Sequence, residues 1–471
     1  MNETPLEIWH KIFEDVPQIC FPTIFTVNRA FSRIIRPYLF ATFTFRPVTP
    51  RGANEVFIEE QNARFDFWTS PDIAALVHSC KITTFPLIRI GAEPAGTPNE
   101  MARLFFCRAK RFSALRHLII HQVDISEHYN EVCTAFASLQ SFDLWHHATG
   151  YDLERPVTAS RQTPFDKPAL RLQKIRLALT GNEICSWTPL FHSLHLRELY
   201  LDCPIHAWCA EATTVPEFPR VVQLSINILR NQQNMEDFAF FLPKFQALQS
   251  LSFLSAHRIT DIGSDALAHL QRGCCLLQQT LEEVNLPLVF LPTFMPVPDS
   301  TFQCLMRINV AGRVDGPSLS SVIQVGGQVA PNIISFTITL SQSRPEVLRQ
   351  LFSSFPHLQE LKIDQPRNVI DLTQNHQGGQ PDILDVLAGT EVSPIHLPQH
   401  LRTLVISWAD ANWFESRRPR NPQALRRVLL AILARLPSLT SLSPMDLFDQ
   451  EALEIVSSPW GMTPDVFWDS R

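Results

Sequence analysis

Glycine is scarce, with 15 residues in a chain of 471. That scarcity argues against folds built on glycine-rich phosphate loops. An excess of positive charge is also missing. The formal net charge is −6, and charged residues make up only 18% of the chain. Nothing supplies the basic field that holds phosphate backbones, so nucleic acid is not an expected partner. Long apolar runs are absent as well. Residues 284–298 are uncharged but broken by Pro287, Pro292, Pro296 and Pro298, and residues 316–343 are uncharged but studded with Ser, Gln and Gly. Neither reads as a lipid-facing helix, so no membrane is expected as a partner. Residues 1–10 have no basic n-region and no apolar h-region, and no signal peptide is expected. No phosphate-loop GxxxxGK[ST], HExxH, GxSxG or EF-hand loop occurs.

What is present is a globular composition. Apolar residues make up 45% of the chain, enough for a core and against a largely disordered chain. Thirty-six prolines predict many short elements with frequent stops. Ten cysteines without a secretory signal read as reduced thiols used as small apolar residues. A length prior of about 150 residues per domain gives about three domains, a count that a repeat overrides.

A repeat is there. The pattern apolar-x-x-apolar-x-apolar recurs as Leu115-Leu118-Ile120, Leu139-Phe142-Leu144, Leu172-Ile175-Leu177, Leu196-Leu199-Leu201, Val221-Leu224-Ile226 and Leu248-Leu251-Phe253. It continues as Leu281-Val284-Leu286, Leu305-Ile308-Val310, Ile333-Phe336-Ile338, Leu358-Leu361-Ile363 and Leu401-Leu404-Ile406. Leu439-Leu442 begins a twelfth copy, with Pro444 at its third anchor. Starts lie mostly about 24 to 33 residues apart, room for one strand and one helix per unit. The last three positions of each copy alternate in, out, in, as a short strand with one buried face does. Residues 344–355 put Val347, Leu348, Leu351 and Phe355 on one helical face, with Pro345 in the first turn. Residues 260–273 are a second helix candidate. Parallel strands need such crossovers, and stacked units bury a continuous core. The fold class is therefore α/β, an irregular leucine-rich-repeat solenoid with parallel short strands and helices on the convex side. The irregularity is expected because the offset that holds Asn or Cys in regular leucine-rich repeats holds neither here. Residues 91–99, 150–168, 365–399 and 413–422 read as excursions from the repeat. The resulting domain boundaries are 1–46 for an N-terminal helical domain, 47–110 for a linker and first atypical repeat, 111–448 for the solenoid and 449–471 for a tail or cap.

The N-terminal segment has more apolar surface than one amphipathic stripe needs. Leu6, Ile8, Ile12, Phe13 and Val16 accompany Trp9 in one candidate helix, with Pro5 at its start and Thr4 and Glu7 placed for a capping box. Ile24, Val27, Phe31 and Ile34 form a second stripe, which Pro37 is expected to end. One face must dock on the repeats and another on something else. Pro5-Leu6-Glu7-Ile8, Ile12-Phe13, Val27-Asn28-Arg29-Ala30-Phe31 and the continuation from Arg36-Pro37 to Phe45 resemble an F-box, as in fungal, mainly mushroom-type, F-box proteins with degenerate leucine-rich repeats. The family's usual leucine before the proline is Thr4 here. The resemblance implies the substrate-recognition subunit of an SCF-type ubiquitin ligase. Such a subunit binds a Skp-family adaptor, and through it a cullin, and it presents a protein substrate. It works in the cytoplasm, the nucleus or both. Catalysis then belongs to other subunits, and no enzyme activity or cofactor is expected of this chain. The adaptor contacts are read as Pro5, Leu6, Ile8, Ile12, Phe13, Val27, Phe31 and Ile34. The alternative is a repeat-based binding scaffold whose N-terminal helices only cap the first repeat.

Substrate recognition is expected on the outward strand positions, with Asp143, Arg176, Tyr200, Asn285, Asn309 and Lys362 as candidates. Their mixed charge suits a protein surface. The set His192, His195, Cys203, His206 and Cys209 has soft ligands at tight spacing. However, a repeat strand runs through the middle of it, so no metal site is assigned.

Overall fold

A computed structural model describes residues 5–45, 55–83, 97–121, 135–146, 170–179, 190–203, 217–226, 241–253, 273–287, 302–314, 316–340, 345–365, 396–408 and 430–443, with isolated positions between these segments. The chain forms two compact units, Met1–Val221 and Val222–Arg471.

The first unit opens with helices α1 (Leu6–Glu14), α2 (Phe21–Phe25) and α3 (Arg29–Leu39), with a 3₁₀ turn at Gln18–Cys20. Pro5 stands one residue before α1 in an extended conformation, and among the described residues no side chain caps that end. Thr4, half of the expected capping box, lies outside the described residues. Asn28 caps α3, its Oδ1 accepting from the Phe31 N–H at 2.8 Å. α3 does not end at Pro37 as expected but runs through it to Leu39. Proline removes one rung of the helical ladder and crowds the carbonyl four residues back, a cost that contacts beyond it offset here. The Phe40 N–H bonds the Arg36 carbonyl, and Tyr38 is held by its ring contact with Phe21 and its hydroxyl's 2.9 Å approach to His10 Nδ1. Phe13, Phe21 and Ile35 form the bundle's core, with Trp9, Phe31, Ile34 and Tyr38 among the half-buried residues packed on it.

Six strands follow in this unit: β1 (Thr42–Phe45), β2 (Ser79–Thr83), β3 (His117–His121), β4 (Ser141–His146), β5 (Lys174–Leu179) and β6 (Glu198–Asp202). Each pairs in parallel with the next. Helices α4 (Glu55–Trp68), α5 (Pro71–Ala74) and α6 (Thr97–Ala109) fall between the early strands. β1 lies inside the stretch assigned from the sequence to the helical domain, and β2 inside the stretch 47–110 assigned to a linker and a first atypical repeat. Aromatic rings fill this part of the core. Phe65 of α4 is fully buried against Phe43, Phe45 and Phe105.

The second unit carries β7 (Gln223–Ile226), β8 (Ser250–Phe253), β9 (Glu283–Pro287), β10 (Arg307–Val314), β11 (Ser335–Leu340), β12 (Glu360–Gln365), β13 (Thr403–Trp408) and β14 (Ser441–Ser443), again each parallel to the next. β14 is described as Ser441–Ser443, and Pro444, at the third anchor of that copy, lies outside the described residues. β12 and β13 pair directly, so residues 366–402 do not interrupt the ladder. Helix α8 (Pro345–Ser354) buries Val347, Leu348 and Leu351, with Phe355 buried just beyond it, the face read from the sequence. The candidate helix at 260–273 falls mostly outside the described residues. Helix α7 (Gly316–Val329) occupies a stretch to which the sequence reading assigned no helix. Its Gly327 permits a close approach: a Cβ there would lie 2.7 Å from Ser354 Cβ.

The physical unit of the repeat is visible in both parts. Every first anchor, from Leu115 to Leu439, is at most 3% exposed and sits in the turn before its strand. The two residues after it give successive N–H groups to one carbonyl of the previous repeat. Gln140 and Ser141 donate to Arg116, and Gln359 and Glu360 to Ile334. The strand then buries its second and third anchors and turns the residue between them outward, as in β6, where Leu199 and Leu201 are buried around half-exposed Tyr200. Backbone donors in the turns are thereby satisfied by the neighbouring repeat. The architecture is an α/β repeat solenoid of parallel short strands.

Candidate functional site

The N-terminal bundle divides the predicted adaptor residues by face. Phe13 is only 3% exposed and fills the bundle's own core, stacked near Trp9 and edge-on to Phe31. Its assignment as an adaptor contact is corrected: amphipathic spacing gives two apolar faces, and packing decides which one points inward. Phe31 and Ile34 are half-buried against that core. Pro5 is exposed, and the side chain of Leu6 lies outside the described ones. Ile8 and Ile12, one turn apart on α1, are 48% and 43% exposed, and Val27 is 61% exposed. Ile19, in the turn between α1 and α2, was missed by the sequence reading and is 86% exposed. It belongs to no helical stripe, so periodicity could not have found it.

The outward strand positions form rows. In the first unit Ile119, Asp143, Arg176 and Tyr200 are register partners on β3, β4, β5 and β6. The structure brings the three predicted residues of this row together. Arg176 Nη1 is 3.8 Å from Asp143 Oδ2, and its guanidinium carbon lies 4.9 Å over the Tyr200 ring. The next outward positions add residues that the reading missed. Trp145 contacts His121, and its ring lies nearly parallel to Tyr200 at 6.1 Å, two strands away. Ala178 is buried on the strand between them and leaves room for the rings to meet. The signal was available: Trp145 stands two residues after Asp143, the strand period.

Burial shifts the titration of this cluster. It pushes the Asp143 carboxyl above its ordinary value, against the pull of Arg176 and His121. It holds His121 below its ordinary value, with Lys81 and Arg176 reinforcing and Asp143 opposing. It raises Tyr200, helped by Asp202. Lys174 and Glu198 pair alongside, on the adjacent row.

In the second unit Ser252, Asn285, Asn309, Thr337 and Lys362 are register partners from β8 to β12. The predicted Asn285, Asn309 and Lys362 therefore lie in one polar row. Asn285 Nδ2 donates to Ser252 Oγ at 3.0 Å.

The cysteine–histidine set is described only in part. His192 and His195 are exposed, Cys203 is buried just past β6, and His206 and Cys209 lie outside the described residues. Among the described residues no three His, Cys, Asp or Glu side chains are grouped to hold a metal ion. No described helix is long and apolar enough to cross a membrane.

No protein-family model matches the sequence, and no curated protein matches it. Among solved structures, a chain of the crystal structure of the Rad7 and Elc1 complex in yeast is similar over 72% of this chain and 88% of that one, with 15% identity and a TM-score of 0.35. The fold assignment rests on the parallel ladder itself, repeat against repeat.

Proposed function

We propose that the chain is the substrate-recognition subunit of an SCF-type ubiquitin ligase, its N-terminal helices acting as an F-box on a Skp-family adaptor and its outward strand rows receiving a protein substrate. One observation carries the reading. The bundle fills its core with Phe13, Phe21 and Ile35 and still exposes Ile8, Ile12, Ile19 and Val27. A terminal cap of a solenoid turns a polar outer face to water. Each of these side chains, fully buried by a partner, contributes roughly 1.5–3 kcal/mol before ordering costs. A few such anchors support a stable interface. The reading places catalysis on other subunits and the chain in the cytoplasm, the nucleus or both. Co-expression with a Skp-family adaptor tests it: a stoichiometric complex on size-exclusion supports the reading, and a soluble chain that leaves the adaptor unbound refutes it.

A further inference from the structure

The outward face of β4–β6 holds a guanidinium that is positioned but not hydrogen-bonded to any described residue. Arg176 is fixed from two sides, by the Tyr200 ring beneath it and by Asp143 at 3.8 Å, too long for a hydrogen bond. It makes no hydrogen bond to a described residue, and its Nε is buried without a partner. Yet the side chain remains 40% exposed, open to an incoming group. Arginine carries five donors in a rigid fork, and such donors are normally paired when buried. His121 Nε2, in the same cluster, is also buried without a partner. Trp145 and Tyr200 flank the site with large apolar surfaces, the residue types that with arginine dominate interface hot spots.

We propose that Arg176 anchors one carboxylate of the protein substrate, from an Asp or Glu side chain. This rests on the reading above that the strand face receives substrate. The fork of a guanidinium matches a carboxylate bidentately. The surrounding charges favour a singly charged acceptor over a phosphate dianion. Lys81, Lys174 and Arg176 are balanced by Asp143, Glu198 and Asp202, and Lys174 is already paired with Glu198. No surplus positive field remains for a second negative charge. Recognition here is short-range and geometric.

The test uses the full chain and a random dodecapeptide phage library, panned in parallel on wild type and Arg176→Lys. The variant keeps the charge and removes the fork. Matched thermal unfolding of the two proteins shows that the variant folds. Peptides enriched on wild type are resynthesised with each Asp or Glu replaced by Asn or Gln. The expected result is one carboxylate whose replacement weakens binding to wild type about ten-fold or more, a difference absent in Arg176→Lys. Should Arg176→Lys be unstable, Tyr200→Leu, which removes the platform under the guanidinium, should give the same loss. Enriched peptides with no required carboxylate, equal binding by wild type and variant, no enrichment on wild type, or tighter binding of a phosphoserine replacement would each overturn the proposal. Adaptor binding is read separately, so carboxylate selection without adaptor binding would sink the receptor reading and keep this one.

Discussion

Replacing Gly327 with alanine sets two effects of opposite sign against each other. Alanine in a helix interior gains about 1 kcal/mol over glycine. Against that, the new Cβ would lie 2.7 Å from both Ser354 Cβ and the Ser354 carbonyl oxygen, and 3.0 Å from Ser354 Cα. Carbon atoms in contact prefer about 3.5–4.0 Å, so the end of α8 must move by about an ångström. Two of the three atoms are backbone, and no rotamer change relieves them. Over-packing of this kind costs about 1–3 kcal/mol, and backbone involvement places it in the upper part of that range. The expected net effect is a loss of about 1–2 kcal/mol. Urea unfolding of wild type and Gly327→Ala, followed by circular dichroism, measures it through the midpoint at unchanged slope. An unchanged or raised midpoint would show that α7 and α8 are not in the close contact described, and the helix-propensity term would have won.

Phe13→Ala should lower stability by about 3–5 kcal/mol, whereas Ile12→Ala, on the exposed side of the same helix, should stay within about 0.5 kcal/mol in the free protein; thermal unfolding of the pair checks the division of faces. Asp143 gives a pH signature. Its carboxyl titrates higher in the folded chain, so the folded state binds more protons than the unfolded one just above the ordinary carboxylate value of about 3.9, and stability falls as pH rises through that interval. Asp143→Asn should remove that slope in part, since Asp364 is shifted in the same direction by its own burial. Identical slopes in wild type and Asp143→Asn would contradict the placement of Asp143.

Much of the solenoid was legible because its anchors are pure packing positions. Leu, Ile, Val and Phe at a fixed spacing have one physical solution, a buried turn residue followed by a half-buried strand. β2 was harder to find because Cys80 stands at its second anchor, in the pattern Val77-Cys80-Ile82. β1 was hidden because Phe43 and Phe45 continue a motif already assigned to helices. α7 was missed because Gly326 and Gly327 lower helix propensity locally, while the gain from approaching α8 is tertiary and leaves no periodic trace. The outward candidates followed from strand alternation, which places Asp143, Arg176 and Tyr200 in one row. Alternation says nothing of how large side chains lean, so the bridge from Trp145 to Tyr200 over Ala178 leaves no mark in the sequence pattern. The N-terminal helices showed the same limit in another form: the sequence supplied two apolar faces, and the bundle decided that Phe13 points inward.

The central claim is that the outer apolar face of the bundle binds an adaptor. The most direct measurement is the affinity of a purified Skp-family adaptor for the wild-type chain and for the double variant Ile8→Asp/Ile12→Asp, by isothermal titration calorimetry. Both positions are exposed, so the variant retains the fold, whereas a charge at Phe13 would report unfolding instead. The account predicts saturable one-to-one binding by wild type and a loss of about 100-fold or more in the variant, from two lost apolar anchors and two charges placed in an apolar interface. Equal affinity for both proteins, or no heat of binding with wild type, would contradict it.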